Sequence, residues 1–204
     1  MSLIKTASTL HLYLSDQKKK GLQTGFIPTM GALHQGHISL IEKSLANEDI
    51  PVSSIFVNPT QFNDIKDFNQ YPVTINQDIL LLERAGCAAL FLPSVAEIYP
   101  NGFENETYYE LGYLGSILEG AYRPGHFQGV CQVMEKLLKI VMPNRLYLGQ
   151  KDYQQCKIIS LLVRQMGLQD KIKVEICPTL REKDGLAMSS RNRRISENVR
   201  SNAN

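Results

Sequence analysis

The chain has 204 residues, 43% of them hydrophobic, enough to bury a sizeable core around one main domain. Its 22 basic and 20 acidic residues nearly cancel, and no Lys/Arg stripe is interleaved with aromatics, which argues against nucleic acid as a partner and leaves small anions open. No apolar run approaches the roughly 18 residues that span a bilayer, and no leader pattern is present, so a cytoplasmic protein without membrane contact is expected.

Taken in order, the chain first offers "KKK", Lys18 to Lys20, which reads as the solvated end of a helix. Short runs rich in β-branched and aromatic residues follow: "TGFIPT", "VSSIFV", "AALFL", "RLYL" and "IKVEIC". Between them lie patterns of helical period at about Gln35 to Asn47, Asn76 to Ala85, Val130 to Val141 and Tyr153 to Met166. Gly86 and Gly167 are placed as helix C-terminal caps, and Pro143 stops its helix. Near-continuous apolar strands alternating with helices predict an α/β fold, a doubly wound parallel sheet with helices on both faces. Cys87, Cys131, Cys156 and Cys177 are widely spaced, form no C-x-x-C pair and are expected as reduced core residues. The sequon-like "NET" at Asn105 would meet no glycosylation machinery in the cytoplasm.

Doubly wound sheets bind ligands at the carboxyl ends of their strands, where a turn delivers a helix N-terminus to a crevice. "PTMGALHQGHISLI" occupies that place: a strand ends, Met30, Gly31 and Ala32 turn, and a helix begins whose Ile38, Ile41 and Leu45 are expected on one face. Free backbone N–H groups and the helix dipole favour an anion there. His34 and His37, one turn apart, can face that anion together, and imidazoles can stabilise charge building on a phosphoryl group. Alternatively, one histidine caps the helix and the other packs. Zinc would need a third ligand that no H-E-x-x-H or Cys cluster supplies, and the P-loop pattern G-x-x-x-x-G-K-[ST] is absent.

Five motifs, "PTMGALHQGH", "SIFVNPTQF", "EGAYRPGHFQGV", "LGQKDYQQ" and "KDGLAMSSRN", resemble in order the signatures of the pantothenate synthetase family, ATP-dependent ligases of pantoate and β-alanine. The resemblance covers almost the whole chain. It implies a Rossmann-like nucleotidyltransferase domain with an HxGH element, at residues 1–180, followed at 181–204 by the MSSR loop and the start of a further region. It also implies Mg-ATP, pantoate and β-alanine as ligands, a pantoyl adenylate intermediate and a homodimer.

By that resemblance Met30, Gly31, Ala32, Leu33, His34, Gln35, Gly36 and His37 form the ATP-binding loop, with His37 as proton donor and His34 on the phosphates. Gly149, Gln150, Lys151 and Asp152 form a second nucleotide-binding turn, in which Lys151 is the phosphate-binding cation; Asp152 reads equally as a plain helix cap. Gln61 and Gln155 are implied pantoate ligands. Asn58 follows the same strand as Gln61, and Arg123 with His126 are candidates for the rim. Amides suit pantoate's hydroxyls because they donate and accept. Met188, Ser189, Ser190 and Arg191 resemble a mobile loop closing over ATP, and Asp78 is at the family's acidic position, expected to hold Mg²⁺.

Departures from the family pattern are Gln77, where an acid is frequent, and Val73, where an arginine is common. After the MSSRN motif only "RRISENVRSNAN" remains, so the family's C-terminal lid domain is expected to be largely absent and the adenylate to leak. A fragment that binds ATP or pantoate without completing ligation is therefore one alternative. Another HxGH nucleotidyltransferase is a second, and Gln61 with Gln155 argue against it, since a phosphate-bearing acceptor would call for Lys or Arg.

Overall fold

A computed structural model describes residues 1–104, 106–200 and 202, without the side chains of Ile65, Arg193, Arg194, Glu197 and Asn198. Asn105 of the sequon-like triplet and three of the last four residues lie outside it. The elements in chain order are β1 (Ser2–Ile4), α1 (Ala7–Lys19), β2 (Thr24–Thr29), α2 (Gln35–Ala46), β3 (Ile50–Ile55), α3 (Ile65–Asn69), α4 (Ile75–Arg84) and β4 (Ala89–Phe91). They continue with α5 (Val95–Ile98), α6 (Glu119–Tyr122), α7 (His126–Val141), β5 (Arg145–Gly149), α8 (Tyr153–Gln165), β6 (Lys173–Cys177) and α9 (Glu197–Arg200). Single 3₁₀ turns at Pro59–Gln61, Gln150–Asp152 and Ser190–Arg194 carry functional candidates.

The six strands found among the described residues form one parallel sheet in the order β1-β4-β3-β2-β5-β6. From β2 the chain steps to β3 and β4 on one side, then crosses to β5 and β6 on the other, so the order reverses between β2 and β5. Those two strands pair only through Gly25 with Arg145 and Phe26 with Leu146, although β2 runs on to Thr29 and β5 to Gly149. Their carboxyl ends therefore diverge, and the crevice expected at a switch point opens there.

One face of the sheet is covered by α1, α7 and α8 through Leu10, Phe127, Leu138, Ile158 and Leu162, the other by α2 and α4 through Leu40, Ile41 and Leu82. All four cysteines are buried free thiols, and burial pushes Cys131 up to about 12. Among the described residues no helix is long and apolar enough to cross a membrane.

The predicted strands and long helices appear within two residues, except that α7 starts at His126 rather than Val130. Its first turn carries polar His126 and Gln128 with Gly129, which masks the helical period; Gly125, at φ +83°, caps it. Leu45, expected on the buried face of α2, is 44% exposed, and Leu40 and Ser44 are buried in its place. Leu45 lies at the helix end, where its Cδ1 would be only 3.2 Å from a Cβ on Gly86. β1 and α1 are not among the predicted elements: the strand has three residues, and α1 buries only Leu10 fully, too little periodicity to read. Lys18 and Lys19 end α1 and are exposed, as expected.

Candidate active site

A cavity of about 250 Å³ lies at the divergent ends of β2 and β5. Of the expected nucleotide residues, Met30, His34, Gly36, His37, Gly149, Lys151, Asp152, Met188, Ser189, Ser190 and Arg191 line it, together with Asn58, Gln61, Arg123, His126 and Gln155. Gly31, Ala32, Leu33, Gln35 and Gln150 do not. Ala32 and Leu33 are buried, and Gln150 is exposed.

The histidine pair is a capping box built from imidazoles. His34 is the N-cap of α2; its Nδ1 accepts from the Gly36 N–H at 3.1 Å, while His37 Nδ1 accepts from the His34 N–H at 3.2 Å. An Nδ1 that accepts cannot bear the proton of a neutral ring, so both rings carry it on Nε2. The ring centroids are 4.1 Å apart. Burial, then the neighbouring His34 and the Lys151 charge, lower His37 to about 3. His37 is therefore a neutral N–H donor at physiological pH rather than an imidazolium acid, and the capping expected of one histidine is shared by both, which leaves each Nε2–H uncommitted to the cap. Gly36 is required here, since a Cβ would sit 2.9 Å from the His34 ring.

A neutral His37 has a measurable consequence. Folded His37 takes a proton only near pH 3, the unfolded chain near 6.5, so its stabilising contribution is complete above about 6.5 and is lost as pH falls toward 3. Between pH 7.5 and 5 the stability gap between the parent and a His37→Gln variant should change by about 2 kcal/mol against the parent. Parallel curves in denaturant melts would show that His37 is not held neutral.

Asp78 is not placed as a metal ligand. It is 1% exposed, and its carboxylate accepts from the Ala32 N–H at 3.0 Å, the Leu33 N–H at 2.8 Å and the Thr74 hydroxyl at 3.1 Å. With its lone pairs engaged and the residue off the cavity wall, Asp78 braces the Met30–Leu33 turn. That turn needs bracing, since Gly31 and Ala32 have φ of +84° and +49°. No group of three His, Cys, Asp or Glu suited to a metal occurs among the described residues. Asp152 is a carboxylate on the cavity wall, 2.7 Å from the Lys151 ammonium.

Gln61 sits on the 3₁₀ turn after β3 and is 9% exposed. Asn58, 1% exposed, donates from Nδ2 to the Gly129 carbonyl at 3.1 Å and to Gln61 Oε1 at 3.3 Å, and its Oδ1 accepts from the Tyr99 hydroxyl at 2.8 Å. A carbonyl can only accept, so this network sets the Asn58 amide and leaves Gln61 presenting its NH₂, 2.9 Å from Met30 Sδ. Asn58 thus orients Gln61 and itself lines the cavity. Gln155 lines the same cavity from the first turn of α8, with Lys151 on the preceding 3₁₀ turn rather than on the helix itself.

The MSSR segment lines the cavity. The Ser190 hydroxyl donates to the Ala32 carbonyl at 2.9 Å, and Arg191 pairs with Asp67 at 3.0 Å and lies over the Tyr71 ring at 5.8 Å. Asp67 and Tyr71 are not among the residues expected from sequence; the one signal for them is the aromatic in "QYPVT", just before the helix that carries Asp78.

Residues 2–204 match the family model described as pantoate-beta-alanine ligase. The chain is 48% identical over 203 residues to the pantothenate synthetase of Bacteroides thetaiotaomicron, spanning 100% of this chain and 71% of that one, and 45% identical to that of Acetivibrio thermocellus over the same span. The crystal structure of the Thermus thermophilus pantothenate synthetase superposes with a TM-score of 0.89 at 42% identity, over 100% of this chain and 71% of that one. The Francisella tularensis pantoate-beta-alanine ligase, complexed with beta-gamma ATP and beta-alanine, gives 0.88 at 43% identity over 97% and 74%. The parallel sheet, the loop at its switch point and these matches together make the chain a member of the pantoate–β-alanine ligase family of enzymes.

Proposed function

We propose that this chain condenses pantoate with β-alanine in two steps, with ATP converted to AMP and pyrophosphate. The carboxylate of pantoate attacks the α-phosphorus; the bond to the bridging oxygen of the β-phosphate breaks, and pyrophosphate leaves. The amine of β-alanine then attacks the acyl carbon of the pantoyl adenylate, AMP departs, and pantothenate remains after loss of the amine proton. The observation that carries this reading is the convergence of two Nε2–H imidazoles, one lysine and two glutamines on one cavity at the switch point.

His34 and His37 donate to phosphate oxygens without adding permanent charge, and Lys151 supplies the cation for charge developing on the leaving pyrophosphate. The Gln61 NH₂ and Gln155 take the hydroxyls of pantoate, holding its carboxylate in line for attack. Arg191 leaves Asp67 for a phosphate oxygen, and Ser189 and Ser190 follow as the segment tightens. Mg²⁺ arriving on ATP would find the carboxylates of Asp152 and Glu119 on the cavity wall, and it would neutralise phosphate charge when bound.

Pantoate-dependent exchange of labelled pyrophosphate into ATP, with Mg²⁺ and without β-alanine, tests the first step. Exchange that disappears in His37→Ala supports the reading; ATP binding without exchange in the parent points to a silent binding module. A homodimer is part of the same proposal, supported by the exposed apolar side chains of Tyr113, Leu118 and Tyr122, and a concentration-independent monomer in sedimentation would contradict it.

A further inference from the structure

The 3₁₀ turn carrying Gln61 is seated on the N-terminus of α7. His126, the first residue of that helix, is 5% exposed, and its Nδ1 lies 2.7 Å from the Gln61 backbone carbonyl. A carbonyl oxygen only accepts, so Nδ1 carries the proton, and Nε2, with a lone pair, accepts from Arg123 Nη1 at 3.3 Å. Arg123 also reaches the same carbonyl from Nη2 at 3.3 Å and is held by Glu119 at 2.6 Å. Burial lowers the pKa of His126, in keeping with a neutral ring. The His126 tautomer is therefore the reverse of that in the His34–His37 pair, and each is dictated by its backbone partner.

We infer that His126 is a positioning residue for the pantoate half of the site: its Nδ1–H holds the Gln61 backbone, so that the Gln61 amide, oriented by Asn58, stands at the height of the substrate's hydroxyls. This rests on the ligase reading above. The contact is with the main chain, so what matters is a donor at the Nδ1 position, not an imidazole. Asparagine places its amide nitrogen close to Nδ1, whereas glutamine reaches toward the Nε2 position and alanine has no donor.

The test is the pyrophosphate exchange reaction, run on the full chain with pantoate and ATP varied separately. His126→Ala and His126→Gln should raise the KM for pantoate about tenfold, as loss of one well-aligned hydrogen bond implies, with the KM for ATP within about twofold of the parent. His126→Asn should return the pantoate KM to within about threefold of the parent. A general loosening of the fold would raise both constants and would not distinguish Asn from Gln, so either pattern overturns the proposal, as does an unchanged pantoate KM in both Ala and Gln. If His126→Ala does not fold, the Asn–Gln pair decides alone. A parent that shows no pantoate-dependent exchange overturns the ligase reading and this role with it; exchange in the parent without the Asn–Gln difference overturns only the role.

Discussion

Asp78→Asn should abolish most of the pyrophosphate exchange proposed for this chain while replacing one oxygen by an NH₂ group. Both carboxylate oxygens accept backbone N–H bonds, from Ala32 and Leu33, and both accept from Thr74. An asparagine can offer an acceptor to only one of the two N–H groups and must turn a donor on the other. Hydrogen bonds to a charged acceptor are each worth about 1.5–3 kcal/mol, and a buried orphan donor adds its own desolvation cost, so a loss of about 2–4 kcal/mol is expected. For a chain of this size that lowers the melting temperature by about 5–15 °C. The turn it releases holds Ala32 at a positive φ and leads directly into the His34 cap. Displacing the imidazoles by an ångström should cut kcat/KM for exchange about 100-fold or more. A variant that melts and exchanges like the parent would show that the turn needs no brace.

Gly129→Ala sets two effects against each other, and their magnitudes predict which wins. Alanine at the end of the first turn of α7 gains at most about 1 kcal/mol over glycine by intrinsic propensity. Yet a Cβ at Gly129 would stand 2.4 Å from the Thr60 carbonyl oxygen, 2.7 Å from its carbon and 2.8 Å from Gln61 Cα. All three are backbone atoms, which no rotamer change can move, so either α7 or the 3₁₀ turn must shift. Overpacking of this kind costs about 1–3 kcal/mol, and here it falls at the severe end because nothing flexible can yield. The net result should be a lower melting temperature together with a pantoate KM raised about tenfold, because the same shift carries Gln61 away from its place. A more stable variant with an unchanged pantoate KM would mean that the helix and turn separate more easily than their contact implies.

In the MSSR segment, Arg191 and Asp67 are partly exposed, so their ion pair contributes at most about 1 kcal/mol. The guanidinium can therefore be handed to a phosphate at little cost, which suits a closing element better than a structural strut.

Much of this protein was legible in its residues. Apolar strands of β-branched and aromatic composition, alternating with helical period, determined the α/β class, because burial on both faces leaves a parallel strand few polar positions. The "HQGH" turn, the glutamines after "NP" and "GQKDY", and the MSSR stretch marked side chains that line the cavity, since each directly follows a strand end or a turn. Tertiary structure alone decided what those side chains do. Asp78 looks like a metal ligand along the chain, and only folding shows its lone pairs spent on two N–H groups more than forty residues away. Asn58 looks like a substrate amide, and only the approach of Tyr99 and Gly129 makes it the orienter of Gln61. The tautomers of His34, His37 and His126 were likewise hidden, because a ring's proton is assigned by the partner that contacts Nδ1, and that partner is set by packing. Residue type limits what a group can donate or accept, and the fold determines which of those bonds are already used before a substrate arrives.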